Sequence, residues 1–374
     1  GKPAVPRLIE ALKDENEDVR EQTRVALVKL GKAAVYGLIE ALKHENEDVR
    51  WGAAIALTEI DPEAKAVAKA VVLVLIEALS DEDEGVRQKA AVALGKIGPE
   101  AKAAVPALIE TLKDKSHNVR GWVAGALGEI GPEARAAVPA LIEALKDESW
   151  WVRSCAAEAL GQIGAAAAPV IAALIEALKD EWFGVGEWAR MVLSEVGKAA
   201  VPQLIEALKH ENEDVRGAAA EVLGRIGAVA KPAVPALIEA LKDDDEDVRL
   251  RALVALGDMG AEAKAVIPAL IEALKDEDWD VRRGAANALG EIGPEAKAAI
   301  PALTEALRDE DQIPWRGAAF ALKDEYWFVR CRAAHALGEI GPEAKAAIPA
   351  LEELLHYEDD RVREQAREAL MKIR

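Results

Sequence analysis

A Val-Arg pair, flanked by an acidic turn before it and an Ala-rich run after it, returns along the whole chain. Its valines are Val19, Val49, Val86, Val119, Val152, Val185, Val215, Val248, Val281, Val329 and Val362, and most intervals are 33 residues. A fixed period in this range describes one supersecondary unit that cannot bury its apolar face alone and must stack on its neighbours. The 374 residues therefore read as one array over 1–374, not as the two or three globular domains that length alone suggests.

The unit spanning residues 104–131 shows the local logic. Val105, Leu108, Ile109 and Leu112 fall at helical spacing and give a short first helix with one apolar stripe. Pro106 sits in its first turn, where a missing N–H is harmless. Residues 113–118 are polar and form the turn. A second helix buries Val119, Val123, Ala126, Leu127 and Ile130, and Gly131 followed by Pro132 ends it. The expected fold class is an all-α solenoid of about eleven stacked antiparallel helix pairs.

The run GPEAKAAVPALIEALKDED, followed by VR and then AAxALGEIG, resembles the HEAT repeat, in the subtype first named after phycobilisome lyases. The resemblance covers essentially the whole chain and extends to artificial libraries built on this motif. It implies the fold. It does not imply one function, because the family spans chromophore lyases, a metal-dependent hydroxylase and many protein-binding scaffolds.

The period has faults. Two intervals, Val19 to Val49 and Val185 to Val215, are 30 residues, because Pro-Glu-Ala is missing before Lys32 and Lys198. The interval from Val49 to Val86 is 37, and its four additional residues, about one helical turn, keep the apolar stripe in phase. The interval from Val281 to Val329 is 48, which places a 15-residue insertion near 312–326, with Pro314 in the slot of the anchoring valine. Such faults suit a natural gene with near-identical repeats better than a designed one.

Composition narrows the function classes. The formal net charge of −20 argues against nucleic acid or an anionic membrane surface as main partner, since both require an excess of Lys and Arg. There is no apolar run of about 18 residues that would span a membrane. No signal peptide is read, and the chain opens on Gly1, as a trimmed chain does. Cys155 and Cys331 stand too far apart in sequence to suggest a disulfide framework. The expected location is cytoplasmic.

Function is sought where the repeats differ. Six slots vary: the three residues before the anchoring valine, and the second, third and sixth after it. Of fifteen aromatic residues, twelve occupy these slots: Trp51, Trp122, Trp150, Trp151, Trp182, Phe183, Trp188, Trp279, Phe320, Tyr326, Trp327 and Phe328. Trp315 replaces the arginine beside its anchor, leaving Tyr36 and Tyr357 outside the pattern. The bland alternative is that these rings are core. Other units fill the same slots with Asn, Glu, Asp, Arg or Gly, and a position that takes Glu221 in one unit and Met191 in another is not a core position. Large exposed aromatics are the residues that dominate binding hot spots. They form two patches, Trp122 to Met191 and Trp279 to Phe328, and the rings of the first are expected to be exposed.

Other constellations read as structural. The arginine after each anchor is expected to pair with an acidic turn residue of its own or the adjacent repeat, in a ladder interrupted at Gly186 and Trp315. Acidic turns such as DDDED at 243–247 read as helix-start residues favoured by the helix dipole; a calcium site there lacks a Gly-containing ligand loop. The pairs His44-Glu45 and His210-Glu211 stand in turns, not on the second helix where a hydroxylase of this repeat class would need them. Cys331, His335 and Glu339, at i, i+4 and i+8, read as chance occupancy, because they span roughly 12 Å of helix. No zinc spacing, phosphate loop or serine triad occurs, and no cofactor or metal is expected. The expected function is a non-enzymatic scaffold that binds a protein or peptide through the concave second-helix face, with self-association through the same rings also admitted. The alternative is a chromophore lyase or chaperone subunit.

Overall fold

A computed structural model describes residues 4–42, 44–60, 65–164, 167–259, 263–308 and 327–374. They contain twenty-two α-helices and, among the described residues, no strand. The chain divides into two compact units, Gly1–Val192 and Leu193–Arg374.

In the first unit, α1 (Val5–Ala11) packs on α2 (Glu17–Leu30), α3 (Val35–Ala41) on α4 (Glu47–Ile60), and α5 (Lys65–Ala78) on α6 (Glu84–Ile97). Next come α7 (Val105–Thr111) on α8 (His117–Ile130), α9 (Val138–Ala144) on α10 (Trp150–Gln162), then α11 (Ala168–Glu176) and α12 (Phe183–Val196). In the second unit, α13 (Val201–Ala207) packs on α14 (Glu213–Ile226), α15 (Val234–Ala240) on α16 (Glu246–Asp258), and α17 (Ala263–Ala273) on α18 (Trp279–Ile292). Then α19 (Ile300–Ala306) packs on α20 (Phe328–Ile340) and α21 (Ile348–Leu354) on α22 (Asp360–Ile373). Second helices pack side by side, α2, α4, α6, α8 and α10 in one unit and α14, α16, α18, α20 and α22 in the other. The architecture is the all-α solenoid that the period predicts.

The 30-residue faults in the period are absorbed between pairs, and the 37-residue fault within a first helix. Where the interval is 30 residues, the connection is a three-residue 3-10 turn, Gly31–Ala33 or Gly197–Ala199, in place of the seven-residue Gly98–Ala104 or Gly131–Ala137. Where it is 37, the additional turn extends α5 to 14 residues. The insertion expected near 312–326, including Pro314, lies outside the described residues.

The Ala-Leu-Gly runs are what let the second helices approach closely. A β-carbon on Gly128 would stand 2.9 Å from the Ala159 Cα of the next repeat, closer than carbon atoms pack. Gly131, at φ +73° and ψ −143°, turns the chain out of α8 in a conformation open only to glycine. The anchors Val119, Val152 and Val185 are wholly buried, whereas the anchor of the first pair, Val19, is 38% exposed.

The arginine ladder is present and its geometry repeats. Arg120 donates Nη1 to the Asp114 carbonyl of its own turn (2.9 Å) and grips Asp147 of the next repeat through Nε and Nη2 at 2.7 and 2.8 Å. The same bidentate grip joins Arg87 to Asp114 and Arg216 to Asp243, and Arg249 reaches Asp276 at 2.8 Å. Burial alone would raise the Asp147 carboxyl. The Arg120 donors and the Ser149 N–H instead hold it below the usual carboxylate range, and Asp114 and Asp243 behave alike. Asp147 also accepts from the Ser149 N–H at 2.9 Å, so one side chain shapes the turn and joins two repeats.

Three repeats put another residue in the acceptor slot, five residues before the anchor. His44 and His210 keep the turn, each accepting the N–H two residues on through Nδ1, at 3.0 and 3.1 Å. Tyr357 keeps the link between repeats, with the Arg330 guanidinium 4.5 Å from its ring centroid. At Gly186, where the arginine is missing, the Arg190 guanidinium lies alongside instead.

Candidate protein-binding surface

The second helices carry the variable slots, and their packing decides which rings remain open. Trp122 on α8, at the third position after its anchor, is 44% exposed. Trp150 and Trp182, at the helix starts of consecutive repeats, are 43% and 46% exposed and stack on one another at 4.3 Å with a 23° interplanar angle. Phe183 is the most open of the group at 78%, and Met191 is also exposed.

Two rings of this patch depart from the expectation of exposure. Trp151 and Trp188 are half-buried. Trp151 turns back over the preceding repeat, where its ring lies on Gly121 and leaves no room there for a β-carbon. It meets Trp122 edge to face at 5.4 Å and 78°. A glycine in the neighbouring variable slot thus creates the seat for a tryptophan 30 positions on, a contact that no local pattern reveals.

The patch in the second unit is more closed. Trp279, Trp327 and Phe328 are all half-buried. Phe328 stacks on Trp327 at 4.1 Å and on Trp279 at 5.9 Å. Arg283 stands over Trp279 and Phe328, and Arg361 over Trp327 at 4.1 Å. Both arginines occupy variable slots, which was the available sign that these rings are covered. Trp315, Phe320 and Tyr326 lie outside the described residues.

Trp51 is half-buried beneath the Lys89 ammonium, 5.1 Å from its ring centroid. It borders a groove of about 480 Å³ that carries Glu17, Asp18, Glu21 and Asp48 on its walls. Sequence reasoning did not find this groove, because Glu17, Asp18 and Asp48 read as ordinary first-turn residues of α2 and α4. Tyr36, 84% exposed on a first helix, stands apart from both patches.

The acidic turns act as helix starts. Asp245 and Asp278 accept from the N–H groups of Val248 and Val281. In the repeat of Trp122 the capping position is Ser116, which points its hydroxyl at Glu84 of the preceding repeat instead, 2.6 Å away. Cys331 is buried, and burial together with Asp359 pushes its thiol up to about 12, far from a thiolate nucleophile. His335 Nε2 is 3.9 Å from Glu339, whose carboxylate is taken up by Lys372 at 2.5 Å. Among the described residues no group of three or more His, Cys, Asp or Glu side chains is placed to hold a metal ion, and no helix is long and apolar enough to cross a membrane.

Similar solved structures share this fold. Importin beta matches with 16% identity over 99% of this chain and 59% of that chain, at a TM-score of 0.61. The karyopherin Kap121p bound to the extreme C-terminus of the protein phosphatase Cdc14p matches with 18% identity over 99% of this chain and 41% of that chain, at 0.58. This chain thus spans less than two thirds of those proteins. An engineered protein matches with 23% identity over 99% of this chain and 98% of that chain, at a TM-score of 0.39. No curated protein matches the chain. The family profile for HEAT repeats matches residues 5–71, 35–117, 72–137, 105–194, 171–245, 234–323 and 318–371. Helix pairs joined by an arginine ladder, carrying that profile from one end to the other, make this chain a member of the HEAT-repeat family.

Proposed function

We propose that this chain is a non-enzymatic, cytoplasmic scaffold that binds a protein or peptide partner through the aromatic variable slots of its second helices. The observation that carries this reading is the row Trp122, Trp150, Trp182 and Phe183. Four large rings remain open to solvent on one helix layer, in slots that neighbouring repeats fill with small or polar residues without change of fold. Water-exposed rings of this size are unfavourable unless a partner covers them, and each can bury roughly 150–250 Å² on contact. Kap121p, a neighbour in fold, holds the extreme C-terminus of another protein, and a similar use of a helical-repeat surface is assigned here.

The test is retrieval of a partner by the wild type and by W150A/F183A, followed by titration calorimetry with the purified partner. The expected result is a stoichiometric complex that the double variant weakens by about 2 kcal/mol or more, as truncation of a hot spot does. Equal affinity of the two proteins refutes the assignment of these rings. Transfer of a chromophore to the partner replaces the scaffold reading with that of a lyase.

A further inference from the structure

The stacking surface of the first helix pair is open. In repeats that follow another, the second helix rests on its predecessor through fixed slots. Trp151, one residue before its anchor, lies on Gly121, and Arg251, third after its anchor, lies on Gly217. Ala159 and Gln162, seventh and tenth after theirs, lie on Gly128. In α2 those four slots hold Asp18, Gln22, Ala26 and Lys29. Asp18, Gln22 and Lys29 are exposed and Ala26 is half-buried, beside the exposed anchor Val19. Ala4, at the start of α1, is exposed and Leu8 half-buried, whereas Ala34, Ala104, Leu38 and Leu108 in the same slots are wholly buried. Apolar side chains that the fold buries elsewhere are thus left to solvent together on one face.

This face suits a second copy of itself. Its apolar centre is flanked by one acid and one base, Asp18 toward the start of α2 and Lys29 toward its end, about 16 Å apart along the helix. Among the described residues neither has an ion-pair partner, whereas Glu21 and Arg24, on the side toward α4, pair with each other. Two α2 helices related by a two-fold axis and packed antiparallel bring Asp18 of each copy opposite Lys29 of the other. A parallel arrangement sets carboxylate beside carboxylate and ammonium beside ammonium. Ala26 at the centre lets two helices approach closely, as Ala159 does against Gly128. Head-to-tail stacking on the last pair is disfavoured, because the slots that hold Gly121 and Gly128 on α8 hold Glu364 and Met371 on α22, both exposed.

We propose that this chain forms a two-fold dimer through the outer face of α1 and α2, with reciprocal Asp18–Lys29 ion pairs around an apolar centre of Val19 and Ala26. The surface is separate from the aromatic row and does not rest on the partner reading above. A face roughly 20 Å on each side, the length of α2 by the width of a helix pair, is at the small end for a stable dimer. A micromolar dissociation constant is therefore expected.

Sedimentation equilibrium of the full chain over about 1–100 μM tests this. The wild type is expected to pass from monomer to dimer across that range. D18K and K29E should each dimerise about tenfold more weakly or worse, because each homodimer then sets like charges together at both ends. Mixed in equal amounts, with one of them fluorescently labelled, D18K and K29E should form a heterodimer of wild-type affinity, since their charges complement again. A26R should stay monomeric with an unchanged circular dichroism spectrum, and W150A/F183A should dimerise as the wild type does. A wild type that remains monomeric throughout overturns the proposal. So do undiminished dimers of D18K, K29E or A26R, and a mixture that restores nothing. A dimer lost in W150A/F183A also overturns it and moves self-association to the aromatic row.

Discussion

Replacing Arg120 by Met tests how much one rung of the ladder holds two repeats together. The methionine keeps most of the apolar stem but loses every donor. Arg120 and Asp147 are only 11% and 12% exposed, so removing the guanidinium leaves a carboxylate poorly solvated, with the Ser149 N–H as its remaining donor. Breaking a fully buried pair costs about 3–5 kcal/mol. Water at the rim favours the low end, about 3 kcal/mol. Arg20 is the internal control. It donates to the Asp14 and Glu15 carbonyls of its own turn, and the next acceptor slot holds His44 rather than an aspartate, so R20M should cost about 1 kcal/mol. Repeat arrays open locally, so a single unfolding midpoint blurs the effect. Native-state hydrogen exchange reads it directly: amides of α8 and α10 should exchange about 150-fold faster in R120M, the factor equivalent to 3 kcal/mol. The double variant R120M/D147A should destabilise less than the sum of its parts, with a coupling of about 2 kcal/mol. If R120M and R20M accelerate exchange equally, or R120M by less than about threefold, the carboxylate grip does not join the repeats and the reasoning fails.

Three further outcomes are expected. W151A should lower thermal stability by about 2 kcal/mol and W182A by about half that, because Trp151 is seated on Gly121 whereas Trp182 stands at the surface; scanning calorimetry showing the reverse order would place the core contact on the wrong ring. Burial pushes the thiols of Cys155 and Cys331 up to about 11 and about 12, so iodoacetamide at pH 8 should label Cys155 roughly a hundredfold more slowly than an unfolded thiol, and labelling at the unfolded rate contradicts the burial. Asp114, Asp147 and Asp243 have folded values below their ordinary range. Their stabilisation is therefore complete above an unfolded value of about 3.9 and is lost as pH falls through the lower folded values. Acid titration followed by circular dichroism should show the fold holding to below about pH 4, and D147N should shallow the dependence; an unchanged profile counts against the ladder as its source.

What was legible in the sequence follows from what each repeat must do alone. Each unit needs an apolar stripe to bury, a glycine to leave its second helix, and an arginine and an aspartate at a constant offset, and all three recur often enough to be read without coordinates. Helix order, the turn lengths at the 30- and 37-residue intervals, the ladder and the location of the aromatics in variable slots were therefore accessible from periodicity.

Tertiary structure alone decided which face of each ring is covered. Trp150 and Trp151 are adjacent in sequence and share the same kind of slot, yet one is open and the other seated, because Gly121 of the previous repeat makes room for only one of them. Trp279 resembles Trp122 as an aromatic in a variable slot, but Arg283 one turn away covers the first and nothing comparable covers the second among the described residues. The seat of Trp151 depends on a contact between residues about one repeat apart, and such a slot is seen only by its neighbour across the stack. Local periodicity specifies the lattice of positions, and the pairing of particular side chains across that lattice determines which of them remain for a partner.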